Sequence, residues 1–274
     1  MIDFDKIWVE KYRPAKLDDI ILDERTLNIV REFKNEIPNL LFVGNPGTGK
    51  TTLARVIVNN ILGCNYLYIN ASDESGIDTI RHNITNFAQT KSFDGRVKVV
   101  ILDEADGLTT QAQAALRNTM ETFAKYCRFI LTANYKHKII PALQSRCQSL
   151  DIKPVVEHAV RRCYTILKKE NVKVTDEQKK KFIQLVKRHF PDLRKTINEL
   201  QKNVIDSKLC IVNINSDNEL LETVYKKIAS KKVLDARKYL IENEDRFQGD
   251  YDTLLGNFLN FVYNSNLDDT KSRS

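Results

Sequence analysis

The sequence predicts an α/β fold, a parallel five-stranded sheet covered by helices, followed by a second, helical domain and a short helical third segment. Three observations predict it. Up to about residue 152, short apolar runs alternate with amphipathic stretches, the rhythm of strands that return through helical crossovers. After Lys153-Pro154 no apolar run of comparable strength follows, and the pattern becomes helical and lysine-rich. The length of 274 residues leaves room for about two domains and a short third element.

Strands are expected at 39–43, 66–70, 97–102, 128–133 and 149–152. The third is almost wholly aliphatic, as befits a central strand buried on both faces. Helices are expected between them at 51–61, 77–90 and 111–123. Beyond the boundary, helical periodicity is read at 157–170, 175–188, 192–206, 220–230, 233–242 and 251–263. The polar stretch 213–217 reads as a hinge, and the polar tail 264–274 is expected to fray. The expected domains are therefore 1–152, 153–212 and 213–274.

Composition narrows the functional classes. With 42% hydrophobic and 29% charged residues, the chain falls among soluble globular proteins. No apolar run approaches the roughly 20 residues of a membrane span, and the mixed-charge start lacks the pattern of a leader. The chain is expected to stay in the compartment where it is made, without a membrane partner. Its five cysteines, Cys64, Cys127, Cys147, Cys163 and Cys210, are scattered and never form CxxC, so they read as free thiols. A net charge of +7 is compatible with a polyanionic partner but also with a basic solvated surface.

The strongest motif is Gly44-Asn45-Pro46-Gly47-Thr48-Gly49-Lys50-Thr51, followed by Thr52, which fits G-x-x-x-x-G-K-[ST]. It leaves an apolar strand and opens a helix. There, glycines let backbone N–H groups turn toward phosphate, Lys50 reaches the terminal phosphates of ATP, and Thr51 can ligate Mg2+. About fifty residues on, the aliphatic strand ends in Asp103-Glu104. Asp103 would hold the metal through water, and Glu104 would polarise the attacking water as general base. A base at that position indicates hydrolysis rather than passive nucleotide binding. Asp103-Glu104-Ala105-Asp106 also spells the tetrapeptide of one helicase superfamily, but the helical chain after residue 153 has no room for the second nucleotide-binding half such an enzyme needs.

Further segments follow in a fixed order: Glu10-Lys11-Tyr12-Arg13-Pro14 with Asp18-Asp19-Ile20-Ile21, then Leu131-Thr132-Ala133-Asn134, Leu143-Gln144-Ser145-Arg146-Cys147, and Phe190-Pro191-Asp192-Leu193-Arg194-Lys195-Thr196-Ile197-Asn198. Together with the two motifs above, they make residues 8 to 210 resemble the AAA+ sliding-clamp loaders, specifically replication factor C small subunits and the clamp-loader large subunit of T-even-type phages. Ser92-Phe93-Asp94-Gly95-Arg96 and the Phe-Pro-Asp phrase are most similar to the phage subunits.

The resemblance implies an AAA+ P-loop NTPase domain, a helical lid over 153–212, and a partial collar segment over 213–274 that is shorter than the family's collar, so that either the chain is shortened or a separate polypeptide would supply the missing helices. It also implies roles. Tyr12, Arg13 and Ile20 would cradle adenine, Asn134 would be sensor 1, Arg194 would be the sensor 2 arginine, and Arg146 would be a finger delivered into a neighbouring subunit's ATP site. Arg81, with Lys91 and Arg117, would track duplex phosphates inside a spiral. Each has a plainer structural alternative: an N-terminal arm packed on the core, an Asn in a turn, or a basic residue on a solvated face.

The implied partners are a sliding clamp, primer-template DNA, other loader subunits in a hetero-oligomer, expected to be a pentamer, and the DNA polymerase holoenzyme. The implied location is the host cytoplasm for a phage protein, and otherwise cytoplasm or nucleus. Another AAA+ DNA motor, a branch-migration helicase or helicase loader, is the competing reading. A scaffold with a decayed ATPase is disfavoured by the intact set Lys50, Asp103, Glu104, Asn134, Arg146 and Arg194.

Overall fold

A computed structural model describes residues 6–34, 36–72, 77–90, 96–211, 215–244, 247, 251, 254–256, 258, 259, 261 and 262, with side chains for all of these except 77–81 and 215–219. Five parallel strands form the expected sheet: β1 (Leu40–Val43), β2 (Tyr66–Asn70), β3 (Lys98–Asp103), β4 (Cys127–Ala133) and β5 (Gln148–Asp151), in the order β2-β3-β4-β1-β5. All six residues of β3 are buried.

Side-chain alternation splits the core into two layers. Leu41, Val100, Leu102, Phe129 and Leu131 point to one face, beneath α4 (Ile77–Gln89) and α5 (Thr110–Thr122). Leu40, Phe42, Val99, Ile101 and Ile130 point to the other, beneath α2 (Glu24–Glu32) and α3 (Lys50–Val56). Burial on both faces explains why these strands read as continuous apolar runs. A short α1 (Trp8–Lys11) precedes α2, and α6 (Pro141–Gln144) lies between β4 and β5.

Helix boundaries follow their caps. The Asp23 carboxylate accepts from Thr26 N at 2.9 Å to open α2, and Thr109 Oγ1 accepts from Ala112 N at 3.2 Å to open α5. The helix expected at 51–61 begins one residue earlier and passes at Ile57–Leu62 into a π-helical turn that ends at left-handed Gly63.

Beyond the sheet lie α7 (Val156–Lys169), α8 (Asp176–His189) and α9 (Leu193–Lys202). The expectation of a helix through 206 is corrected here. After α9 the chain forms a small antiparallel hairpin, β6 (Val204–Ile205) with β7 (Lys208–Leu209), turning through left-handed Asp206 and Ser207. Part of the expected hinge is corrected too, because α10 (Asn215–Ala229) already includes Asn215, Ser216 and Asp217. The rest of that stretch, Asn213 and Ile214, lies outside the described residues, as does the tail from 264.

By internal contacts the chain divides into two compact units, Met1–Thr175 with Leu185–Leu209, and Asp176–Gln184 with Cys210–Ser274. The second unit has its own core, in which Leu220, Leu221 and Val224 of α10 meet Ala236 of α11 (Val233–Glu242), with Tyr239 and Leu240 packed around them. All five cysteines are free thiols, and burial pushes those of Cys147 and Cys163 up to about 12. No helix among the described residues is long and apolar enough to cross a membrane.

Candidate nucleotide site

The first unit carries a cleft of about 1100 Å³, space open to solvent included, at the carboxyl ends of the strands, where open parallel sheets place their ligands. Its floor is the loop between β1 and α3. Gly47 and Gly49 adopt φ of +74° and +94°, the left-handed region, so the loop can fold back over the start of α3. Gly44 needs its missing side chain for another reason, since a Cβ there would meet Ile152 O at 2.7 Å.

Lys50 is buried, and its Nζ donates to Gly44 O (2.8 Å), Asn45 O (2.9 Å) and Asn134 Oδ1 (2.8 Å). Burial pushes this ammonium below its ordinary value, Arg194 adds to the shift, and Asp103, Asp106 and Glu104 oppose it. Gly44 and Asn45 do not line the cleft; their carbonyls grip Lys50 from behind. Pro46 through Thr52 do line it.

The Asp103 carboxylate accepts from three hydroxyls. Thr51 Oγ1 reaches its two oxygens at 2.8 and 2.9 Å, Thr132 Oγ1 donates to Oδ1 at 2.6 Å, and Tyr68 Oη donates to Oδ2 at 2.8 Å. Glu104 follows in a left-handed backbone conformation, φ 55°; its N–H donates to Thr132 Oγ1 at 3.0 Å, and its carboxylate accepts from Ser72 Oγ at 2.6 Å. The β1–β4 register pairs Val43 with Ala133, so Asn134 emerges beside the loop. Asp106 fixes that end by accepting from the backbone N–H groups of Asn134 and Tyr135, both at 3.1 Å.

Two further walls complete the cleft. Tyr12, Arg13 and Ile20 line one side, together with Arg162 of α7. Tyr12 also satisfies its plainer alternative, because its hydroxyl donates to Glu170 at 2.5 Å while Arg162 donates to Tyr12 O and Asp19. The other wall is the start of α9. Asp192 caps that helix by accepting from Lys195 N at 2.9 Å, Leu193 N donates to Gly47 O at 3.1 Å, and Arg194 faces the cleft.

Arg146 is not part of this cleft. It pairs with Glu121 at the end of α5 and donates to Ala142 O at 2.9 Å. Arg117 is also apart, its guanidinium donating to Asn118 Oδ1 at 2.8 and 3.2 Å. Arg81 belongs to α4, but its side chain lies outside the described residues, as does the whole of Lys91.

The residues present fit a magnesium nucleotide. Thr51 and Asp103 set two hard oxygen donors side by side at the loop, the chemistry Mg2+ prefers, and Lys50 and Arg194 bring two cations to the same cleft. Tyr68, Ser72, Asp106, Thr132 and Arg162 were not singled out from the sequence. Strand parity signals two of them, because Tyr68, Asp103 and Thr132 share the sheet face that carries Ile101 and Ile130.

A left-handed glycine loop gripping a buried lysine, an acidic strand end and a polar residue on the neighbouring strand define a P-loop ATPase domain of the AAA class. Residues 40–154 match the ATPase family associated with various cellular activities (AAA), and residues 151–209 match the sliding-clamp-loader large subunit, AAA+ ATPase lid domain. The chain belongs to the clamp-loader family of replication factor C small subunits.

It is 44% identical over 204 residues to the replication factor C small subunit of Archaeoglobus fulgidus, covering 72% of this chain and 63% of that one. It is 41% identical over 245 residues to that of Methanococcus vannielii, covering 86% and 74%. To replication factor C subunit 3 of Saccharomyces cerevisiae it is 42% identical over 202 residues, 71% of this chain and 58% of that one. The chain thus spans between 58% and 74% of the length of these relatives.

Proposed function

We propose that this chain is an ATP-hydrolysing subunit of a sliding-clamp loader, which opens the clamp and places it on primer-template DNA during replication. The observation that carries this reading is the distribution of its polar and charged groups. Lys50, Thr51, Asp103, Glu104, Asn134 and Arg194 converge on one cleft, while Arg146 stands outside it on a chain whose lid matches that of clamp loaders.

In the proposed mechanism, loop N–H groups and Lys50 bind the β- and γ-phosphates of ATP, and Arg194 reaches the γ-phosphate from the lid. Thr51, and Asp103 through water, would hold Mg2+, which would supply charge neutralisation at the phosphates. Glu104 accepts a proton from the attacking water, and Asn134 orients that water. Arg146, which lies outside this cleft, serves a neighbour's site as a finger and a neighbour's arginine serves this one, an effect worth about 10³ to 10⁵ in rate where such fingers have been measured. ATP thereby favours an assembled spiral that holds clamp and DNA, and loss of the γ-phosphate releases both. The remaining proposed partners are other loader subunits in a pentameric hetero-oligomer and the polymerase holoenzyme.

The test is steady-state ATPase of the assembled loader with clamp alone, primed DNA alone, and both. Synergy between clamp and DNA is expected. Stimulation by DNA with no further effect of the clamp would instead identify a different AAA+ DNA motor.

A further inference from the structure

Among the described residues, Tyr68 is the partner of the Asp103 carboxylate supplied by β2. Ladder register pairs Asn70 with Asp103 and Tyr68 with Ile101, so the phenol lies on the same sheet face as the carboxylate, two residues behind it, and reaches forward to donate to Oδ2 at 2.8 Å. The ring is fixed from behind. Arg55, four residues after Thr51 on α3, holds its guanidinium 4.6 Å from the ring centroid. Arg55, Tyr68 and Asp103 thus join the helix that follows the phosphate loop to β2 and β3.

A Thr51 hydroxyl that gives a lone pair to a metal keeps its proton for Asp103, but its orientation then follows the metal. Thr132 on Oδ1 and Tyr68 on Oδ2 are donors held by the neighbouring strands β4 and β2.

We propose that Tyr68 is a positioning residue for the divalent cation: it holds Asp103 in the rotamer that receives Mg2+ and so sets the magnesium concentration at which the nucleotide tightens. The inference rests on Asp103 and Thr51 being the metal pair. It goes beyond that reading by assigning magnesium affinity to a tyrosine that does not line the cleft.

The experiment follows binding of a fluorescent ATP analogue to the full-length chain, in EDTA and across a magnesium titration, for the wild type and Tyr68→Phe. The substitution keeps the ring and its contact with Arg55. Affinity in EDTA is expected to be unchanged, while the magnesium midpoint rises roughly tenfold, as for other partners that orient a metal-holding carboxylate. Fluorotyrosine at position 68, which keeps ring and donor, is expected to restore the midpoint.

An unchanged midpoint in Tyr68→Phe, with clear magnesium dependence in the wild type, would overturn the assignment. So would an equal loss of affinity with and without magnesium, or failure of the variant to fold, since each makes the hydroxyl merely structural. Absence of any magnesium dependence in the wild type would remove the metal pair itself, a separate failure that takes this inference with it.

Discussion

Glu104 stands where a strand must stop. Its left-handed backbone turns the chain out of β3, and the Ser72 hydroxyl holds its carboxylate at 2.6 Å at the cleft. A side chain placed by its backbone in this way can lose basicity without losing its place. Glu104→Gln is therefore expected to bind nucleotide as the wild type does while turnover falls by about 10² to 10⁴, the usual worth of a general base. Equilibrium binding and single-turnover hydrolysis separate the two effects, and a parallel loss of binding would contradict the assigned role. At this scale the sequence was legible where a motif dictates the residue type, as for Lys50, Thr51 and Asp103. It was silent where a residue's value comes from its neighbour across the sheet. Asp106 was visible only as the fourth letter of a tetrapeptide, and only the fold reveals that its carboxylate holds the Asn134 and Tyr135 N–H groups.

The junction between the phosphate loop and α9 shows how one element constrains another. Gly47 is left-handed, and a Cβ there would lie 1.9 Å from Asp192 Oδ1, the atom that caps α9. Gly47→Ala incurs a left-handed penalty of about 1–2 kcal/mol and disturbs a cap worth about 1 kcal/mol. The expected loss, roughly 2 kcal/mol in urea melts, is partly relieved by adding Asp192→Ala; no relief would show that the clash is not its source. His189, at the end of α8, gives this junction a pH dependence. Burial pushes its pKa below the ordinary 6.5, with Arg188 adding to the shift and Glu199 opposing it. Its protonation is thus disfavoured in the fold. Its contribution is complete above pH 6.5 and lost as the pH falls from there through the lowered folded value. Melts between pH 7.5 and 5.5 should show this loss, and His189→Asn should diminish it.

Elements were readable in proportion to their length. The strand at 66–70 was placed to the residue, and the other four strands to within one at each end, because two buried faces leave a continuous apolar signal. The hairpin formed by β6 and β7 escaped because two residues per strand generate no period. The π turn at Ile57–Leu62 escaped because its apolar spacing matches that of an ordinary helix.

For the whole molecule, the proposed function makes the site half of a shared one. Its own cleft gathers the loop, the acidic pair, Asn134 and the lid's Arg194, while Arg146 sits elsewhere, paired with Glu121. The proposal requires a head-to-tail neighbour, in which each interface joins one subunit's cleft to the next subunit's finger. The most direct test mixes Arg146→Ala subunits, which keep the cleft, with Lys50→Ala subunits, which keep the finger, and measures ATP hydrolysis by the assembled complex. Each variant alone should be nearly inactive. An equal mixture should recover activity at up to about a quarter of the interfaces, those where an intact cleft meets an intact finger. A mixture that forms the complex yet stays as inactive as either variant alone would contradict the shared site.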